Sequence, residues 1–306
     1  VEASITLKNV SKHFHKHYIL SNLNLGIEKG STFAVIGRNG AGKTVLLQTM
    51  ATMLMPDAGN VFINGEDTLL VNPDLRQIVG YLPDHDMHDP WISGWDNIRL
   101  RAELLGLSIS KAQDRINSFI RDFNLTEELV NAPVTYARGT KRCLDLVLII
   151  LADPEILILD EPTLGLDYHA RAVLLRYLSE VKQTKTIVLA SNEFNEIQTI
   201  ADRWIVLDKG MVRFDGTIEK MLTQIEVPFT AELELQKASP QKITKLSTAR
   251  KIHTIQDFGL TIRVQTETLQ DFIEIMHETD LHDIVGIRGQ IMRIDEFLNR
   301  LLTDEE

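Results

Sequence analysis

Two short stretches of this chain carry residue types and spacings suited to chemistry. Residues 37–44 read Gly-Arg-Asn-Gly-Ala-Gly-Lys-Thr and fit G-x-x-x-x-G-K-[ST], the phosphate-binding loop. Gly37, Gly40 and Gly42 permit backbone angles closed to residues with a Cβ. Consecutive N–H groups then converge on phosphate oxygens ahead of a helix N-terminus. Lys43 is placed to reach the β- and γ-phosphates, and Thr44 to set its hydroxyl on Mg²⁺. The second stretch is Asp160-Glu161, which ends the apolar run Ile156, Leu157, Ile158, Leu159. Such a run fits a buried strand delivering carboxylates to a site at its C-terminal edge. Asp160 suits Mg²⁺ held through water, and Glu161 suits orienting or deprotonating an attacking water. A plain glycine turn and a solvated strand end are the bland alternatives, and the pairing of the two motifs in one chain argues against both.

These residues need a sheet to hold them. Phe33, Ala34, Val35 and Ile36 read as a buried parallel strand, and Leu46, Leu47 and Met50 as one face of the helix that follows the loop. Upstream, residues 4–36 alternate as strands with tight turns, and Phe14 is placed to stack on an adenine ring. Residues 59–65 and 78–83 predict further strands, and residues 95–130 an amphipathic helical stretch within an insert of about 88–150. A loop over 136–141 leads into an apolar helix over 143–152; a helix over 168–181, a strand over 186–190 and a hairpin around Asp208-Lys209-Gly210 follow. Near residue 222 the composition changes. Strands over 229–235, 251–256, 260–264 and 284–287 and helices over 241–247, 269–277 and 294–302 give the order β-α-β-β-α-β plus a helix, a ferredoxin-like pattern. The expected division is 1–221 and 222–306.

Composition bounds the function. A net charge of -11 over 306 residues argues against a nucleic-acid surface, which needs clustered Lys and Arg. The single Cys143 excludes an internal disulfide and suits a reducing cytosol. No basic-then-apolar leader and no run of 18 apolar residues occur, so the expectation is no direct membrane insertion and any membrane role through a partner. His13, His15 and His17 alternate on a strand, and Asp84, His85, Asp86, His88 and Asp89 crowd one loop. Each group makes a metal site conceivable, but neither has a full ligand set in sequence, and a polar surface is the plainer reading.

The order of these pieces resembles the nucleotide-binding subunit of an ATP-binding cassette (ABC) transporter, over about residues 4–221. The resemblance implies an α/β fold: a P-loop NTPase core of ABC type with an N-terminal antiparallel β subdomain and a helical insert. The small α+β ferredoxin-like domain follows it. ATP and Mg²⁺ are the implied cofactors. Phe14 is then the aromatic that stacks on adenine, and Gly37, Arg38, Asn39, Gly40, Ala41, Gly42, Lys43, Thr44 and Val45 hold the phosphates. Residues 136–142 align with the signature loop, so Ala137, Arg138 and Gly139 face the nucleotide of the opposite subunit. Thr44, Asp160 and Asp84 are the implied metal ligands, with Glu161, Asn192 and Asp84 in catalysis. Leu164-Gly165-Leu166-Asp167 resembles the dimer-contact loop, and the pattern over 284–302 resembles the tail of bacterial exporter ATPases. The implied partners are a separate transmembrane permease and a second nucleotide-binding subunit, identical or related. The implied location is the cytoplasmic face of the membrane, with Trp91 and Trp95 where a permease groove should form.

Three positions depart from the family pattern. Ala137-Arg138 replaces a serine and a glycine, and loss of one hydrogen bond to a charged group costs about 1.5–3 kcal/mol. Asn192 replaces the switch histidine, and Asp84 replaces a glutamine. The expectation is ATP binding with slow or partner-dependent hydrolysis. The competing reading is a non-transport ABC ATPase acting as an ATP-gated clamp or regulatory module.

Overall fold

In the computed structural model the described residues are 2–69, 75–191, 197–218, 220–221, 229–235, 252–266, 269–278 and 284–291. They fall in two compact units, Val1–Thr217 and Ile218–Glu306.

The first unit is built on strands whose sequences allow no exposed face. β3 (Thr32–Ile36), β7 (Ile156–Asp160) and β8 (Thr186–Ala190) are buried at every position, as expected of parallel strands covered on both sides. With β6 (Val79–Leu82), β9 (Arg203–Asp208) and β10 (Met211–Gly216) they form a six-stranded sheet of order β10-β9-β3-β8-β7-β6. All its pairings are parallel except β10 with β9. The register sets Leu82 beside Leu159, Asp160 beside Ala190, and Val35 beside Ala190. Because the strands run one way, the segments after Ile36, Leu82, Asp160 and Ala190 all leave from the same edge. Lys209 and Gly210 both have positive φ, 45° and 75°, which gives the tight β9–β10 hairpin.

A second sheet, order β2-β1-β4-β5, is antiparallel: β1 (Ala3–Phe14), β2 (His17–Glu28), β4 (Ala58–Ile63) and β5 (Glu66–Asp67). Its inward residues, Ile5, Leu7, Leu20 and Leu25, share one core with Leu46 and Leu47 of α1 (Lys43–Met50) and with Phe33, Ile158 and Val188. After the short α2 (Leu75–Ile78), the helical insert holds α3 (Gly94–Leu104), α4 (Ile109–Asp122) and α5 (Arg138–Ala152). The run predicted as helical to residue 130 stops at Phe123, and Glu128–Val130 is a single 3-10 turn. α5 starts at Arg138, so much of the stretch expected as a loop over 136–141 is the first turn of this helix. Ala137 at its N-cap is extended, and Lys141 N–H already donates to the Ala137 carbonyl at 3.1 Å. α6 (Tyr168–Val181) begins at Asp167, whose carboxylate accepts from Ala170 N–H.

The second unit contains β11 (Phe229–Leu235), β12 (Ile252–Asp257), β13 (Thr261–Thr266), α7 (Leu269–Glu278) and β14 (Ile284–Ile291). Its sheet is antiparallel, order β12-β13-β11-β14. Ala231, Leu233, Ile262 and Val264 pack with Phe272, Ile275 and Met276 of α7. The helices expected over 241–247 and 294–302 lie outside the described residues.

Candidate functional site

The loop between β3 and α1 is held from three sides. Gly37 lies so close to the end of β9 that a Cβ there would stand 2.2 Å from the Leu207 carbonyl oxygen. Gly42, the N-cap of α1, sits at φ 104°, and a Cβ on it would meet the Ile19 carbonyl of β2 at 2.7 Å. Gly210 N–H donates to the Ala41 carbonyl at 3.0 Å. Arg38, Asn39 and Gly40 form the exposed crown, Ala41 is buried, and Val45 is half-buried. Lys43 is buried, and its Nζ donates to the carbonyls of Gly37 at 2.8 Å and Arg38 at 3.4 Å. Burial holds its pKa below the ordinary lysine value, while Glu161 and Asp160 pull the other way.

Asp160 ends β7 fully buried, and its carboxylate accepts a hydrogen bond from the Thr44 side chain. Burial raises its pKa; the Thr44 bond lowers it, the nearby Asp84 raises it, and Lys43 and Arg142 lower it. Asp160 Oδ2 is buried with no hydrogen-bond partner. An ionised oxygen without a donor is costly in a protein interior. With the Thr44 hydroxyl and the exposed Asp84 carboxylate close by, this hard-oxygen set fits a small divalent cation such as Mg²⁺. Glu161 follows in the left-handed region at φ 45°, its N–H bonded to the Ala190 carbonyl at 2.9 Å. Gly37–Thr44, Asp84, Asp160 and Glu161 therefore sit at one sheet edge. Asn192 lies outside the described residues.

Other predicted residues are elsewhere. Phe14 is 45% exposed near the β1–β2 hairpin tip, with Lys12 Nζ 5.7 Å from its ring centroid. Ala137, Arg138 and Gly139 open α5; Ala137 is exposed, while Gly139 and the Arg138 stem lie against Gly165 in the loop after β7. Among the described residues no hydrogen bond or ion pair joins them to the phosphate loop. Trp91 is 76% exposed rather than in the core, and Trp95 lines a shallow groove with Ile98, Ala102, Ile109 and Ala112. Among the described residues no group of three or more His, Cys, Asp or Glu side chains stands where it could hold a metal ion, the two histidine-rich stretches included. His13 instead pairs with Asp57 at 3.0 Å, and His88 is buried against Asp145, Nδ1 to Oδ1 2.7 Å.

The family profile described as ABC transporter matches residues 20–164. A daunorubicin resistance ATP-binding protein of Streptomyces coeruleorubidus is 32% identical over 221 residues, 72% of this chain and 70% of that one. The chain belongs to the ABC transporter family. The Nod factor export ATP-binding protein I of Rhizobium sp. (strain N33) is 29% identical over 272 residues, covering 88% of this chain and 85% of the relative. The solved ATP-binding subunit of an ABC transporter superposes with a TM-score of 0.67 at 27% identity, over 72% of this chain and 92% of that one.

ABC ATPase domains bind and hydrolyse ATP, and such subunits dimerise and pair with transmembrane permeases. Among the described residues of this ABC chain, no helix is long and apolar enough to cross a membrane. One ABC-site residue escaped sequence reasoning. Arg142, buried in α5, donates to the carbonyls of Pro83, Asp160 and Glu161. In the sequence it only closes the stretch aligned with the signature loop, next to Lys141 and ahead of an apolar helix, and nothing local marks its acceptors. The loop's tight fit gives a direct test. Gly37→Ala forces a Cβ against the Leu207 carbonyl, and overpacking of this kind costs about 1–3 kcal/mol. Calorimetry should show a Tm lowered by several degrees, together with weaker nucleotide binding.

Proposed function

We propose that the chain is the ATP-binding and hydrolysing subunit of an ABC exporter. The observation that carries this is the meeting, at one sheet edge, of the phosphate loop, the buried Asp160 with its unpartnered Oδ2, and Glu161. In this reading the Gly37–Thr44 backbone and Lys43 bind the ATP phosphates, Phe14 stacks on adenine, and Val45 lines the phosphate end. Asp160, Thr44 and Asp84 would hold Mg²⁺. Mg²⁺ when bound neutralises charge on the β- and γ-phosphate oxygens. Glu161 orients the attacking water and takes its proton, with Asn192 and Asp84 as the other catalytic residues. Two subunits close head to tail, each presenting Ala137, Arg138 and Gly139 to the other's nucleotide. The exposed Leu164 and Tyr168, 43% and 88% accessible, support a dimer face there. The exposed Trp91 and the Trp95 groove support docking of a separate permease on the helical insert. The subunit then sits on the cytoplasmic face of the membrane. The names of the relatives, drug resistance and Nod factor export, support export as the direction. Residues 222–306 form a ferredoxin-like accessory domain, a reading the β12-β13-β11-β14 order supports.

Purification of the tagged chain from membranes should bring down a polytopic membrane protein that stimulates its ATPase. Recovery with ribosomes and no membrane protein would favour a soluble clamp instead.

Hydrolysis should be slow, because Ala137 offers neither a cap nor a hydroxyl at the head of α5. Ala137→Ser should raise stability by about 0.5–2 kcal/mol through the missing N-cap bond. It should also speed hydrolysis about 10-fold or more, the equivalent of one hydrogen bond to a charged group. Thermal melts and steady-state phosphate release read the two effects separately.

A further inference from the structure

We propose that Arg142 is a positioning residue for hydrolysis, fixing Glu161 and the 83–88 loop as one piece against α5. This rests on the reading that Glu161 orients the attacking water.

The geometry is specific. Arg142 Nη1 donates to the Pro83 carbonyl at 2.5 Å, and Nη2 to the carbonyls of Asp160 at 2.6 Å and Glu161 at 2.9 Å. In an extended strand successive carbonyls point to opposite sides. The left-handed φ of 45° at Glu161 ends that alternation, and the carbonyls of residues 160 and 161 both meet one nitrogen. With both peptide planes held, the direction in which the Glu161 side chain leaves the backbone is held too. A planar guanidinium with five donors in fixed directions suits three carbonyls from two segments; a lysine ammonium is a point donor.

One turn along α5, Asp145 grips the far end of the same loop. Its Oδ1 accepts from Met87 N–H at 3.4 Å and pairs with His88 Nδ1 at 2.7 Å, with both side chains buried. Residues 142 and 145 are three apart and share a helix face. α5 therefore holds the loop that carries Asp84 at both ends, and holds Glu161 through Arg142. The same helix opens with Ala137–Gly139. A shift at that opening, where the second subunit docks in the proposed dimer, moves Glu161 and Asp84 together.

The test compares the full-length wild type with Arg142→Lys, Asp145→Asn and Glu161→Gln. Arg142→Lys should lower kcat about tenfold or more with KM within about twofold, because the phosphate loop and Lys43, which Arg142 does not touch, stay in place while the water-orienting group does not. In the nucleotide-free protein, amide hydrogen exchange should rise about tenfold in 83–88 and in 161–164 together, with β7 and β8 unchanged. Asp145→Asn should loosen 83–88 alone. Arg142→Lys combined with Glu161→Gln should be no slower than Glu161→Gln. Wild-type kcat in Arg142→Lys, KM rising in step with the fall in kcat, or unchanged exchange over 161–164 would each overturn the proposal. Wild-type hydrolysis in Glu161→Gln would instead sink the catalytic reading of Glu161. Exchange over the two segments would still decide whether Arg142 ties them together. Should Arg142→Lys fail to fold, Arg142→Gln takes its place in the exchange experiment, and the Asp145→Asn contrast stands independently.

Discussion

Glu161→Gln is expected to cut steady-state ATP hydrolysis by about 10²–10⁴-fold, the range supplied by a positioned general base. The substitution keeps the size and shape of the side chain and removes its charge. Backbone contacts at this position, the N–H to Ala190 and the carbonyl to Arg142, do not involve the side chain and should persist. Glu161 also faces the buried Lys43, whose charge it helps to stabilise. Its neutralisation therefore leaves a more positive phosphate loop, and ATP should bind at least as tightly as in the wild type. The variant should accumulate as an ATP-bound dimer visible by size exclusion or sedimentation. Phosphate release at the wild-type rate would remove Glu161 from the mechanism.

Asp160→Asn is expected to make the nucleotide-free protein more stable and the Mg²⁺-dependent one worse. Burial raises the Asp160 pKa in the folded chain above its ordinary value of 3.8. Between that value and the raised one, the folded state binds the proton that the unfolded state has released. Stability therefore falls as pH climbs through this window, and the whole cost is present once pH exceeds the raised value. Asparagine removes the charge, so Tm should rise at pH 7, and the gain should shrink as pH falls toward 3.8 and vanish well below it, where aspartate is protonated in both states. The same change takes away the ionised oxygen offered to the cation. Mg²⁺ potentiation of ATP binding should drop about 10–100-fold, as for outer-sphere metal partners. A Tm that falls at pH 7, with Mg²⁺ dependence intact, would show that Asp160 is a structural acid.

Much of this was legible in the sequence because it is local. The phosphate loop declares itself in contiguous residues between an apolar strand and a helix. The acid pair ends an uninterrupted apolar run, and a parallel sheet brings such ends to one edge without further instruction. Features that depend on distant partners were not legible. His88 stands among Asp84, Asp86 and Asp89 in sequence, which suggested a polar or metal-binding loop. Its partner is Asp145, brought to it by the packing of α5. Arg142 ends the stretch aligned with the signature loop, yet its acceptors come from two other segments. The start of α5 was misplaced because Gly139 and Thr140 are weak helix formers, and tertiary packing against Gly165 outweighs that preference.

The helix that opens with Ala137 and grips with Arg142 and Asp145 also acts as a phase gauge. Each residue of an α-helix turns the chain by about 100° and advances it about 1.5 Å. Adding or deleting one residue between Gly139 and Arg142 would swing the gripping face a quarter-turn or more away from the Pro83, Asp160 and Glu161 carbonyls, with the chemistry of every side chain unchanged. Substitutions on the outer face of this turn should be borne easily, whereas a change in its length should not.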